Sequence, residues 1–348
     1  MERVSVKAPA NVKISGEHAV VYGGSSLSAA ITLYATAEAD YASNGALEVV
    51  LSDLGVRASF SADGLDGLYK AYSSRDQRSN GSIQSYIAGS GVDKDFLPYA
   101  TIAARLHGQY GVEVAGRKIT ISSEVPVKKG YASSAVCSTA FAVAVLRSAG
   151  VELDDRSAVD AIRDGERVAH GMEDAGRIDV GTAYYGGYAT FSAAEGIRKA
   201  DIARKVRMVV FDTGPKPPTS EMLRKVKELY DADIEGTSAI FRDIDDCVGR
   251  CVDALRGGDL GELGRQMTRN HGLLRRLGVS SERLDEAVSV AAKSGALGAK
   301  LCGGGGGGIG VALVADNKSS RSVISAMEAE GFGAMEVVVA DCGAAQCR

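Results

Sequence analysis

The sequence predicts an α+β chain folded as two lobes, and three observations carry that expectation. Strand-like and helix-like segments alternate through the first half of the 348 residues. A second block opens near residue 205 with the apolar run Val206–Asp212 and is then dominated by helical patterns. The chain closes as strand, glycine loop, strand, helix, strand, with the loop formed by six consecutive glycines, Gly303 to Gly308. With 45% hydrophobic residues the chain can bury a core in each lobe.

In order, Val4–Pro9, Ile31–Ala42, Ala46–Ser52 and Gly116–Ser123 carry β-branched or alternating patterns and read as strands. The Gly64–Asp93 stretch is polar and rich in glycine and serine, a surface excursion expected to hold one short helix. Ala132–Ala149 is apolar nearly all round and reads as a buried helix, and Arg156–His170 as an amphipathic one. Gly186–Ser192 returns as a strand. Three prolines in Gly214–Ser220 exclude a helix there. Ser220–Ala232, Ile234–Leu255, Leu260–Leu277 and Glu282–Ser294 follow as helices. Strands Gly298–Leu301 and Ile309–Val314, a helix at Ser319–Gly331 and a strand at Met335–Ala340 complete the chain. The lobes are expected to divide at residues 1–195 and 196–348, with an active cleft between them.

Composition excludes several functions. A net charge of −4 leaves no electrostatic footprint for nucleic acid. Apolar stretches are interrupted before they could span a membrane, and the first residues lack the apolar core of a signal peptide. Six cysteines, at 137, 247, 251, 302, 342 and 347, show no metal-ligand spacing and read as reduced thiols of a cytoplasmic protein.

Four segments can carry chemistry. Glycines cost about 0.5–1 kcal/mol each inside regular elements, so a run of six marks either a backbone cradle for an anion or a flexible linker. Strand-like flanks favour the cradle. At Pro126–Ala135, Ser133 and Ser134 stand where the buried helix begins, with Lys128 and Lys129 adding charge. That is an anion site, or else a simple N-cap. In Gly165–Gly187, Asp179 lies in a turn-rich stretch running into a strand, and Glu166 lies one helix away. Taken alone they read as a turn residue and a solvated charge; together with Ser134 they form a base and a metal shell. Finally, Ser15–Gly16 breaks a strand and delivers Glu17 and His18 into a loop.

Taken in this order, the segments resemble the GHMP kinase superfamily, and within it the mevalonate kinases. Residues 16–23, 165–171 with Ile178 and Asp179, and 300–308 are similar to that family's motifs; shorter likenesses occur at Asp212–Thr219, Asn270–Leu274 and Gly295–Lys300. The resemblance spans nearly the whole chain. It implies a lobe like ribosomal protein S5 domain 2 followed by a ferredoxin-like lobe. It implies ATP and Mg2+ as cofactors, a mevalonate-like small molecule as acceptor, and room for a homodimer. Asp179 would accept the proton of the acceptor hydroxyl, and Ser134 and Glu166 would hold Mg2+. Gly130, Tyr131, Ala132, Ser133 and Ser134, with Lys128 and Lys129, would wrap the nucleotide. Asn11, Glu17, His18, Gly303, Gly304, Gly305 and Gly306 would face the acceptor.

Three departures stand out. The family's lysine in the first motif is Asn11 here, and Lys13 lies two residues on, about 6.6 Å further along the same strand face. Lys13 is therefore expected to neutralise charge in its place. Lys128 and Ala132 replace glycines and Tyr131 a leucine, while two extra residues within Met172–Arg177 place Asp174 and Arg177 to reshape the acceptor pocket. The implied activity is phosphorylation of the 5-hydroxyl of mevalonate or of 3-phosphomevalonate. A family 3-hydroxyl kinase, a decarboxylase, or a non-catalytic binding protein on this fold are the alternatives; the retained Glu17–His18 and Glu166 segments argue against the first two.

Overall fold

A computed structural model describes residues 3–76, 79–126 and 131–346. The chain begins with β1 (Val4–Ser15), a tight turn of helix at Ala19–Tyr22, and β2 (Ser26–Tyr41). β3 (Leu47–Leu51) and β4 (Val56–Phe60) form a hairpin, followed by α1 (Ala62–Ser73), α2 (Asn80–Gly89) and α3 (Leu97–Tyr110). β5 (Arg117–Ser123), α4 (Ser133–Ala149), α5 (Asp155–His170), α6 (Asp179–Tyr185), β6 (Tyr188–Ser192) and β7 (Gly196–Ala200) complete the first lobe's elements.

Among the described residues these strands make one seven-stranded sheet in the order β4-β3-β5-β2-β6-β7, with β1 paired to β2. β1 is buried along most of its length because its inward residues meet α4 while its outer edge is covered from the second lobe. β7 pairs with β6, so the first sheet runs beyond residue 195. The excursion expected to hold one short helix holds two, α1 and α2. α3, which has no counterpart in the sequence reading, follows them: its proline sits in the first turn, where no N–H is needed, and Ala100, Ile102, Ala103 and Leu106 bury it.

The second lobe begins with β8 (Arg207–Asp212) and continues through α7 (Thr219–Ala232), α8 (Ile234–Gly257), α9 (Leu260–Arg276) and α10 (Glu282–Lys293). It ends with β9 (Gly298–Leu301), β10 (Ile309–Val314), α11 (Asn317–Ala329) and β11 (Gly333–Val338). Its antiparallel sheet has the order β11-β8-β10-β9, the strand order of a ferredoxin-like unit. The tail then returns to the first lobe. Ala340 N–H donates to Ala30 and Ala344 N–H to Ala183. Gly186 makes that docking possible: with φ +68° and a hypothetical Cβ only 2.1 Å from Gly343 N, no side chain fits.

Asp179 departs from expectation. The stretch around it is not a turn leading into a strand; Asp179 is the first residue of α6. An acidic residue there meets the positive end of the helix dipole. The cysteines also depart in part from an all-reduced set. Cys137, Cys247, Cys251 and Cys302 are free and buried, whereas Cys342 is disulfide-bonded, and Cys347 lies outside the described residues.

α5, which carries Glu166, is fixed by a buried carboxylate. Asp164 is 0% exposed and accepts from Arg105 at 2.8 Å, Arg167 at 2.5 Å and Tyr72 at 2.9 Å. Removing one member of a buried ion network strands the others. Asp164→Asn is expected to cost roughly 3–5 kcal/mol, read as an earlier first unfolding transition in urea. A loss below about 1 kcal/mol, the scale of an exposed pair, would show that Asp164 does not anchor α5.

Candidate active site

A cleft of about 810 Å3 opens between the lobes and gathers residues from β1, α4, α5, α6 and the glycine loop. Strand alternation puts Asn11 and Lys13 on one face of β1, and both line the cleft. The Lys13 ammonium donates to Asn11 Oδ1 at 3.0 Å and forms an ion pair with Asp179. Asn11 Nδ2 also reaches the Asp179 carbonyl at 3.3 Å. Lys13, expected from the sequence to neutralise charge in place of the missing lysine, is paired here with the Asp179 carboxylate. The Asp179 side chain remains 37% exposed, open to a ligand.

Across the cleft, α4 starts at Ser133 behind Ala132, whose φ of 59° is the left-handed conformation a glycine would hold without strain. Ser134 does not cap its helix. Its hydroxyl donates to Glu166 Oε1 at 2.6 Å, while Ser138 Oγ is 3.4 Å from the same oxygen. Glu166 is 3% exposed, so the solvated-charge reading of this residue does not hold. His170, one turn further along α5, approaches Glu166 at 3.4 Å. That carboxylate raises the imidazole's affinity for a proton.

Two groups of expected residues are displaced from the ligand side. The Tyr131 ring is buried in the first-lobe core and does not line the cleft. Burial also pushes its phenol upward. Among the glycines, Gly303 and Gly304 line the cleft, but Gly305 and Gly306 do not. A Cβ on Gly305 would lie 2.1 Å from the Val279 carbonyl, and one on Gly306 would strike Pro217 and Met222. The loop is therefore packed, not a free linker, and much of its glycine content answers positive φ and close approach within the second lobe. Lys128, Lys129 and Gly130 lie outside the described residues. Asp174 and Arg177 pair with each other and do not line the cleft.

Glu17 and His18 border the cleft but are largely committed. Glu17 forms an ion pair with Lys300, and His18 Nε2 lies 3.0 Å from the Gly304 carbonyl. Burial lowers the His18 imidazole's proton affinity. Sequence reasoning assigned no role to His170, Lys216, Thr219 or Asp53, all of which line the cleft. His170, Lys216 and Thr219 lie inside segments whose motifs were visible; Asp53 follows β3 with no local signal.

Similarity to known proteins places the chain in a family. Residues 97–187 match the description "GHMP kinases N terminal domain" and residues 251–333 "GHMP kinases C terminal". The mevalonate kinase of Thermococcus sibiricus is 31% identical over 91% of this chain and 91% of its own length. The chain belongs to the GHMP kinase family. The mevalonate kinase of Pyrococcus horikoshii is 30% identical, covering 94% of this chain and 93% of its own. The crystal structure of the Methanococcus jannaschii mevalonate kinase superposes with a TM-score of 0.77 at 25% identity, covering 97% of this chain and 99% of that one. As a GHMP kinase, the protein uses ATP. Among the described residues no helix is long and apolar enough to cross a membrane.

Beneath the cleft, His271 receives the Leu301 N–H at Nδ1 and meets Asp285 at 3.1 Å, which places its proton on Nε2. Burial is the main cause lowering its pKa to about 4. The unfolded chain binds a proton near pH 6.5, so this histidine contributes stability above that value and loses it as pH falls toward 4. The full loss is roughly 3 kcal/mol. His271→Gln is expected to flatten the acid limb of thermal stability between pH 6.5 and 4. Parallel curves for the two proteins would show that His271 is not the titrating group.

Proposed function

We propose that this GHMP kinase transfers the γ-phosphoryl group of ATP to the 5-hydroxyl of mevalonate. The observation that carries the reading is the placement of Lys13 against Asp179 at the start of α6, facing the Ser134–Glu166 pair across one cleft. Relatives named mevalonate kinase share about 30% of residues over most of the chain.

Phosphoryl transfer asks a protein mainly for positioning and charge neutralisation. Asp179 is the group that accepts the hydroxyl proton as the new O–P bond forms. Lys13 places positive charge beside the oxygen losing that proton, in the role that Asn11 at the family's usual lysine position cannot fill. Asn11, His18, Gly303, Gly304, Ala132, Ser133 and Ser134 all line the cleft; in this reading the first four face the acceptor and the last three the nucleotide.

Ser134 and Glu166 fit Mg2+: both present oxygen, the hard donor this ion prefers, and Mg2+ keeps water and substrate phosphates for its remaining positions. They would hold the ion, which when bound supplies charge neutralisation at the β- and γ-phosphates. Glu166 is nearly buried and lines the cleft, so its negative charge is little screened by bulk water.

ADP release assayed with mevalonate, 3-phosphomevalonate and 5-phosphomevalonate tests the reading. Turnover with mevalonate is expected; turnover with 3-phosphomevalonate alone would assign the second acceptor instead. Asp179→Asn is expected to lower turnover by about 10²–10⁴-fold with ATP affinity retained. A variant keeping more than about a tenth of wild-type turnover would remove Asp179 as the base, since that loss falls short of a general base's share. Glu166→Gln and Ser134→Ala should each raise the Mg2+ requirement, and together do less than their separate effects combined. Fully additive effects would show that the two residues do not share an ion.

A further inference from the structure

The most deeply buried ion pair among the described residues is not accounted for by the transfer chemistry. Lys300, on β9 of the second lobe, is 0% exposed, and its partner Glu17, just past β1 of the first lobe, is 6% exposed. Its ammonium donates to Glu17 Oε1, to the Leu301 carbonyl at 2.7 Å and to the Lys13 carbonyl at 3.3 Å, so all three protons are used. Two residues on, Cys302 Sγ accepts the Lys13 N–H at 3.1 Å. Among the described residues β1 pairs within the sheet with β2 alone, and a register shift falls between Lys13 and Ser15. The backbone of Lys13 is therefore held on both its N–H and its C=O by residues 302 and 300 of the other lobe.

Desolvating two opposite charges is costly, and an apolar pair of the same volume often serves stability as well or better. A pair kept at this junction is thus poorly explained by stability. We propose that Glu17 and Lys300 are positioning residues: a clasp between the lobes that sets the backbone of Lys13 so that its ammonium meets Asp179. The Glu17 oxygen Oε2, buried without a partner among the described residues, fits a carboxylate held for its charge on Lys300 and not for a full set of hydrogen bonds. The proposal rests on the reading of Lys13 as the neutralising cation, and it assigns Glu17 to the clasp instead of to the acceptor.

The test uses the full-length protein and four variants: Glu17→Gln, the neutral double variant Glu17→Gln/Lys300→Met, Lys13→Met, and the triple combination. The neutral pair avoids a stranded buried charge, so the double variant should keep a cooperative thermal transition. It is expected to bind ATP as the wild type does, to keep its KM for mevalonate, and to lose at least about 10-fold in kcat. In the Lys13→Met background the same double substitution should cost less than about 3-fold, since both act through one ammonium. Glu17→Gln, which still offers Lys300 an oxygen, should retain more kcat than the double variant.

Wild-type kcat in the double variant, beside an impaired Lys13→Met, would overturn the clasp alone. Near wild-type kcat in Lys13→Met would overturn both the clasp and the reading of Lys13. A raised acceptor KM with unchanged kcat in Glu17→Gln would return Glu17 to the substrate and also overturn the clasp. A double variant without a thermal transition, beside a stable Glu17→Gln of wild-type kcat, would make the pair structural and overturn the proposal.

Discussion

The contact between Lys13 and Asp179 is the interaction on which the arrangement of the site depends. It joins an edge strand to the first residue of a helix 166 positions later. Each side has its own support. Asp179 is carried by α6, which packs on α4, β6 and the returning tail, while Lys13 is carried by a strand whose outer edge is completed by the second lobe. A displacement of β1 against α6, which pack on each other within the first lobe, would separate the ammonium from the carboxylate. Effects of this kind are steep in transfer reactions, where misplacement by about 1 Å can cost two orders of magnitude.

The same logic explains why the cleft is lined by groups already paired with one another. Ser134 holds Glu166, Asn11 holds Lys13, and His18 meets the Gly304 carbonyl. Polar groups fixed in advance need little reorganisation as charge moves from an acceptor oxygen toward the phosphates. The glycine loop contributes differently. Its first two residues approach the cleft, and the later ones lock the loop onto Val279, Pro215 and Pro217, so that a flexible composition yields a rigid wall.

Much of this was legible in the sequence. The apolar flanks of the glycine run became β9 and β10, and the all-round apolar Ala132–Ala149 became the buried α4 starting one residue later. The alternation of β1 was enough to put Asn11 and Lys13 on one face, and both line the cleft. What stayed hidden is long-range or crowded. Nothing near Glu17 announces a partner 283 residues away, and Tyr131, read as a residue crowding the nucleotide, turns inward to fill the core. α6 escaped notice because seven residues with an internal glycine give too short a period to separate a helix from a turn. α3 escaped because its leading Leu97–Pro98 reads as a break, although proline in a first turn is compatible with a helix.

On the proposed mechanism, Lys13 and Asp179 jointly meet the hydroxyl that receives the phosphoryl group. A crystal structure of the wild-type protein with mevalonate, Mg2+ and a non-hydrolysable ATP analogue measures this directly. The 5-hydroxyl oxygen is expected within about 2.6–3.2 Å of both an Asp179 carboxylate oxygen and Lys13 Nζ, with the γ-phosphorus on its other side. A 5-hydroxyl held by other residues, with the Lys13–Asp179 pair intact and turned away from it, would contradict it.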